Sequence, residues 1–237
     1  MPIRCLLEIC LESVEYAVAA ERGGADRIEL CSDLISGGVT PSVQLMGGVR
    51  RGVHIPIHVL IRPRAGDFVY SQAEFETMKC DIQTAKDLGM DGIVLGLLDE
   101  NMQVDGERTG RLIRLARPLP VTFHRAFDLC RNLTASLQAV IETGATRILT
   151  SGGKENATKG LASLADLVAN AGSRIAIMPG GGVRANNVGH ILRKTRAKEI
   201  HTSLGLPAKT ANEGSDDEFE AKVREIRRLI DTPTAQK

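Results

Sequence analysis

The sequence predicts an α/β fold, a single (β/α)8 TIM-type barrel, from three observations. Eight short runs rich in Ile, Val and Leu recur along the chain, helical patterns separate them, and the joint from helix to strand repeats. Each run is about five residues long, the length of a buried strand. Eight such units with short joints favour a closed barrel over an open doubly wound sheet. No Pro/Ser-rich linker divides the 237 residues, so one domain is expected over residues 1–231, with a short tail over 232–237.

The first runs are CLLEI from Cys5 and RIEL from Arg27. A helix then opens with Thr40-Pro41, read as a cap followed by proline at the first helical position. PIHVLI from Pro56 is the third strand. The next helix begins SQAE, where Ser71 caps and Glu74 reaches back as a capping box. Its Phe75, Met78, Ile82 and Ala85 recur at three- and four-residue spacing, one apolar face. GIVLGLL from Gly92, PVTFH from Pro120, RILT from Arg147, RIAIM from Arg174 and EIHTS from Glu199 complete the eight strands. ERGGADRIEL, KDLGMDGIVL and IETGATRILT share one joint, in which a glycine ends the helix left-handed and the strand follows at once. The last helix, about DDEFEAKVREIRRLI, closes the ring.

Composition narrows the function. Apolar residues make up 43% and charged residues 25%, as in a soluble globular protein. The formal charge is +1, and two Tyr, five Phe and no Trp leave few stacking platforms, so neither a basic footprint nor an aromatic surface for nucleic acid is expected. Glu8 and Glu12 interrupt the first apolar run too early for a signal peptide, and no stretch approaches a membrane span of about 18 apolar residues. The expected compartment is the cytoplasm. Five cysteines with no C-x-x-C spacing argue against a disulfide framework or a structural zinc site.

In barrels of this kind the chemistry lies at the C-terminal ends of the strands. There the sequence places Glu8 and Cys10, Glu29 and Cys31, then Arg62, Arg64 and Asp67 in IRPRAGDF, and His124, Arg125 and Asp128 in TFHRAFD. Alternation puts His124 and Asp128 on one face and His58 and Arg62 on another, with the inward face left open. Unpaired charge is expensive to bury, so these groups pair with each other, as an internal plug, or with a ligand. SGG at 151–153 and PGGGV at 179–183 follow strands and precede helices, so Gly152, Gly153, Gly180, Gly181 and Gly182 are candidate anion binders. No lysine falls inside a strand to serve a Schiff-base aldolase, and no G-x-S-x-G elbow occurs. His58, His124 and His201 with Glu8, Glu29 and Asp128 offer a hard-metal set, with His58 too deep to join. Glu29, His124 and Asp128, with Arg62 as an electrostatic clamp, form the better acid–base group for a small anionic or phosphorylated metabolite.

RIELCSDLISGGVTPS, IRPRAGDFVYS, TFHRAFD, RILTSGG, IMPGGGV and EIHTS, in that order from about residue 5 to 205, resemble the CutC copper homeostasis family. The resemblance implies a cytoplasmic barrel that binds, traffics or confers tolerance to copper. It also implies shared mouth residues at Glu8, Glu29, Arg62, His124, Asp128 and His201. Cu(I) prefers thiolates. Cys10 and Cys31 each lie two residues beyond a strand-end glutamate, so a two-thiolate copper site is geometrically open, as is simple packing of two small apolar residues. The expected partner is a copper ion or a small anionic ligand, with no organic cofactor, nucleic acid or membrane; a homo-oligomer stays open.

Overall fold

The computed structural model describes residues 4–205 and 216–232. Strands and helices alternate along the chain: β1 (Leu6–Leu11), α1 (Val14–Gly23), β2 (Arg27–Leu30), α2 (Val43–Gly52), β3 (Ile57–Leu60), α3 (Gln72–Asp87), β4 (Gly92–Leu95) and α4 (Gly106–Ala116). The second half continues with β5 (Val121–Phe123), α5 (Leu133–Thr143), β6 (Arg147–Thr150), α6 (Leu161–Ala171), β7 (Ala176–Pro179), α7 (Val188–Thr195), β8 (Glu199–Thr202) and α8 (Asp216–Asp231). Short 3-10 turns follow β2 (Leu34–Ser36) and β5 (Arg125–Leu129). All eight strands are parallel, in the order β7-β6-β5-β4-β3-β2-β1-β8. The two ends of that order, β7 and β8, lie side by side, and the Thr202 hydroxyl donates to the Val183 carbonyl at 2.8 Å. The eight-unit barrel expected from the sequence is present.

Register fixes the inward face. Glu8 pairs with Arg27 and His201, Cys10 with Glu29, and Glu29 with His58, so these side chains share the barrel interior. The alternate residues, including Leu7, Ile9, Ile28, Leu30, Ile57 and Val59, face the helices and belong to the main apolar core. Phe75, Met78, Ile82 and Ala85 of α3 are buried in that core. The larger of them contribute about 1.5–3 kcal/mol each by leaving water.

The local signals are mostly where the sequence puts them. Ser71 and Glu74 make both bonds of the capping box. Gly24, Gly89 and Gly144 take positive φ (92°, 71° and 87°) at the three repeated joints, a conformation that costs a side-chain-bearing residue about 1–2 kcal/mol. The start of α2 differs: its cap is Ser42, which accepts from the Leu45 N–H, and not Thr40. Thr40 instead bonds the chain just past β3, donating its N–H to the Arg62 carbonyl and accepting the Arg62 N–H on its hydroxyl. Its hydroxyl, the group that would cap, is engaged by Arg62 just past β3.

The last helix ties the chain's two ends together. Phe219 of α8 stacks on Tyr16 of α1 at 4.3 Å between ring centroids. Arg227, buried, bonds Asp26, Asp231 and the Cys5 carbonyl, and Asp26 in turn accepts the Leu7 N–H at the start of β1. The tail expected over 232–237 lies, from residue 233, outside the described residues. No helix among the described residues is long and apolar enough to cross a membrane.

Candidate functional site

Inside the barrel, polar side chains form two layers. In the lower one, Arg27 bonds Glu8 and Glu199, the latter at 2.9 Å, and Arg147 bonds Glu199 and the Thr122 hydroxyl. Glu8 is wholly buried, and its second oxygen meets His201 Nδ1 at 2.8 Å. Burial opposes the Glu8 charge, yet Arg27 and His201 outweigh it and hold the carboxyl well below the ordinary range. His58 packs beside them against Gly92, where any Cβ would collide with its ring; burial takes it down to about 4.

Above this layer the barrel opens into a cavity of about 270 Å³, walled by Cys10, Glu29, Arg62, His124, His201 and the Gly181–Gly182 backbone, with Phe68 and Arg125 at its sides. Three buried polar atoms on this wall have no partner: Glu29 Oε2, His124 Nε2 and Arg62 Nε. Burial pushes the Glu29 carboxyl up; His201 opposes the shift and Glu8 reinforces it. Burial also works against charge on His201, but Glu29 and Glu8 prevail and raise it. His124 is pushed down to about 3 by burial and the nearby Arg62 cation.

Beside the cavity, Cys10 Sγ lies 3.6 Å from Cys31 Sγ, both reduced and buried, and Cys10 lines the cavity. Two metal–sulfur bonds of about 2.3 Å reach farther than that, so one ion can touch both sulfurs. Cys10, Glu29 and His201 also offer ligand atoms within 4.8 Å of one another. The hydrogen bond with Cys31 first, and burial after it, push the Cys10 thiol well above its ordinary value.

Residues 5–206 match the CutC family. The chain belongs to the CutC family. The copper homeostasis protein cutC homologs of Mus musculus and Homo sapiens are each 50% identical to it over 198 residues, covering 84% of this chain and 73% and 72% of theirs. The crystal structure of CutC from Streptococcus agalactiae superposes with a TM-score of 0.80 at 35% identity, over 84% of this chain and 98% of that one. Thiamine phosphate pyrophosphorylase from Pyrococcus furiosus shares the fold alone, with a TM-score of 0.63 at 14% identity over 96% of each chain.

The CutC chain brings together Cys10, Glu29, Arg62, His124, His201, Gly181 and Gly182 at one cavity. It sets others apart. Glu8 lies beneath the cavity in the lower layer. Asp128 does not share the His124 face, because the chain leaves strand geometry at His124 and turns into the 3-10 segment, where alternation no longer holds. Its carboxylate is spent on the β6 loop, accepting from Thr150 and Ser151 hydroxyls, the Ser151 and Gly153 N–H groups and Arg125. Gly152 and Gly153 serve that loop's packing: a Cβ on Gly152 would meet the Gly160 carbonyl at 2.8 Å, and one on Gly153 would meet Leu133 at 2.9 Å. Gly180 gives room to Leu149 and His201.

Sequence reasoning passed over Arg27, Arg147 and Glu199 as strand beginnings. The signal was available: each stands two residues before an inward position, Glu29, Leu149 and His201. Gly92 at the start of β4 and Gly96 just past its end were a second signal. A Cβ at Gly96 would lie 2.5 Å from the His124 ring, so the pair leaves space for two histidines.

Proposed function

We propose that this CutC-family protein serves copper homeostasis in the cytoplasm by binding Cu(I) through Cys10 and Cys31 at the barrel mouth. The observation that carries the reading is the pair of buried thiols 3.6 Å apart on adjacent strands, one of them lining an accessible cavity. Cu(I) is soft and selects thiolates over the oxygen donors that fill the rest of the interior. The ion is cargo here, and binding it displaces the Cys10 proton, so apparent affinity rises with pH. Leu60 and Val94 pack against the two cysteines and give the sulfurs an apolar surround.

The test is a Cu(I) titration of the reduced protein against a competing chelator, with Cys10→Ser/Cys31→Ser alongside. Tight binding of one ion in the wild type, abolished in a folded double variant, is the expected result. Equal and weak binding by both proteins would falsify the reading and leave copper as an indirect effect.

A further inference from the structure

The wall of the cavity away from the cysteines is built from donors. His124 Nδ1 accepts the Ala126 N–H at 3.2 Å, so the single proton of this neutral imidazole sits on Nε2, buried and without an acceptor. Arg62 commits its terminal nitrogens to backbone carbonyls, NH1 to Gly38 and NH2 to Gly66, both at 2.7 Å, while its Nε–H is unpartnered. Phe68 covers both groups, 4.9 Å from the guanidinium and 4.8 Å from the imidazole, and shields them from bulk water. Arg125, with 42% of its side chain exposed, also lines the cavity and lies against Gly181, where a Cβ would come 3.1 Å from its guanidinium carbon.

A buried donor left unmade costs about 1–3 kcal/mol, and nearly all such groups in native proteins find partners. The lower layer shows that this chain can satisfy its buried charges. Two orphaned donors on residues that line one cavity, with a second cation, Arg125, beside them, therefore call for an acceptor from outside.

The geometry points to a binding site for a small oxyanion-bearing organic molecule, whose carboxylate or phosphate oxygens accept from His124 Nε2–H and Arg62 Nε–H beside the Arg125 charge. The space sets the size. About 270 Å³ lies just below the usual range of roughly 300–1,000 Å³ for small-molecule sites, so a metabolite of a few carbons fits. Gly181 and Gly182, at φ 87° and 71°, put no side chain between Arg125 and that space. Glu29 Oε2, the remaining orphan, faces the same cavity and gives the ligand's far end a polar contact. This site uses neither cysteine, so it stands or falls apart from the copper reading.

The experiment is imidazole and guanidinium 15N NMR on the full chain, in the wild type and in Cys10→Ser/Cys31→Ser, titrated with inorganic phosphate, acetate and succinate. The free protein is expected to show His124 in the Nε2–H form. At least one probe is expected to shift the His124 and Arg62 Nε–H signals saturably and equally in both proteins. Phosphate acting alone identifies a phosphoryl ligand, and the organic acids acting alone a carboxylate; either supports the site. Arg125→Gln is expected to weaken binding about tenfold, the loss of one charge-assisted contact. Arg125→Lys, which keeps the charge, is expected to recover part of it. Signals unmoved by every probe at tens of millimolar overturn the proposal, as does binding that Arg125→Gln leaves unchanged.

Discussion

Glu8 and Glu29 stand on adjacent strands, both buried and both turned into the barrel, and their surroundings drive them in opposite directions. Glu8 has Arg27 against one oxygen and His201 against the other, so it is held ionised. Glu29, one layer higher, leaves an oxygen without a partner at the cavity, and burial pushes it toward the neutral form. The same contrast runs through the two layers. Below, arginines and carboxylates complete one another; above, Glu29, His124 and Arg62 each keep an atom in reserve. The lower layer has one unpartnered atom of its own, His58 Nδ1, but its charged groups are all paired.

The largest expected effect lies in the lower layer. Arg27→Met strips Glu8 of its main counter-charge, and a broken buried pair costs about 3–5 kcal/mol, read by urea denaturation at neutral pH. Adding Glu8→Gln to that variant is expected to recover part of the loss, since a neutral pair needs no compensation; no recovery would break the comparison. Asp128→Asn comes next, at about 2 kcal/mol, because a rim carboxylate with this many donors behaves like the lower layer. Glu29→Gln is expected to have the smallest effect and the opposite sign, a gain of up to about 1 kcal/mol at neutral pH.

Titration sharpens the same contrast. The folded Glu8 is depressed below its ordinary value near 4.5, so its stabilisation is full above that value and is lost as pH falls through the folded one. Glu29 is raised, so its ionisation erodes stability as pH climbs from near 4.5 through the folded value. Denaturation of the wild type and the two glutamine variants from acid to neutral pH is expected to show Glu8→Gln flattening the acid limb. Glu29→Gln is expected to diverge upward from the wild type on the neutral side.

The barrel was legible because each of its units is written locally: an apolar run, a helix with a visible face, a glycine joint. Ser71 with Glu74 could be read as a pair because both partners lie within one turn. The cavity was half legible. Alternation carries Cys10, Glu29 and Arg62 to one side, but it says nothing of height, so Glu8 looked like a mouth residue and is a floor beam. Height depends on the stagger between strands, and that is set by the whole ring. Asp128 was misplaced because the chain changes period at His124, and Thr40 lost the helix cap to Ser42 because its bonds reach to β3, more than twenty residues away.

The lower layer has one more consequence. With Arg27, Arg147, Glu8 and Glu199 locked together beneath the cavity, ion pairs and not open space close the barrel interior on that side.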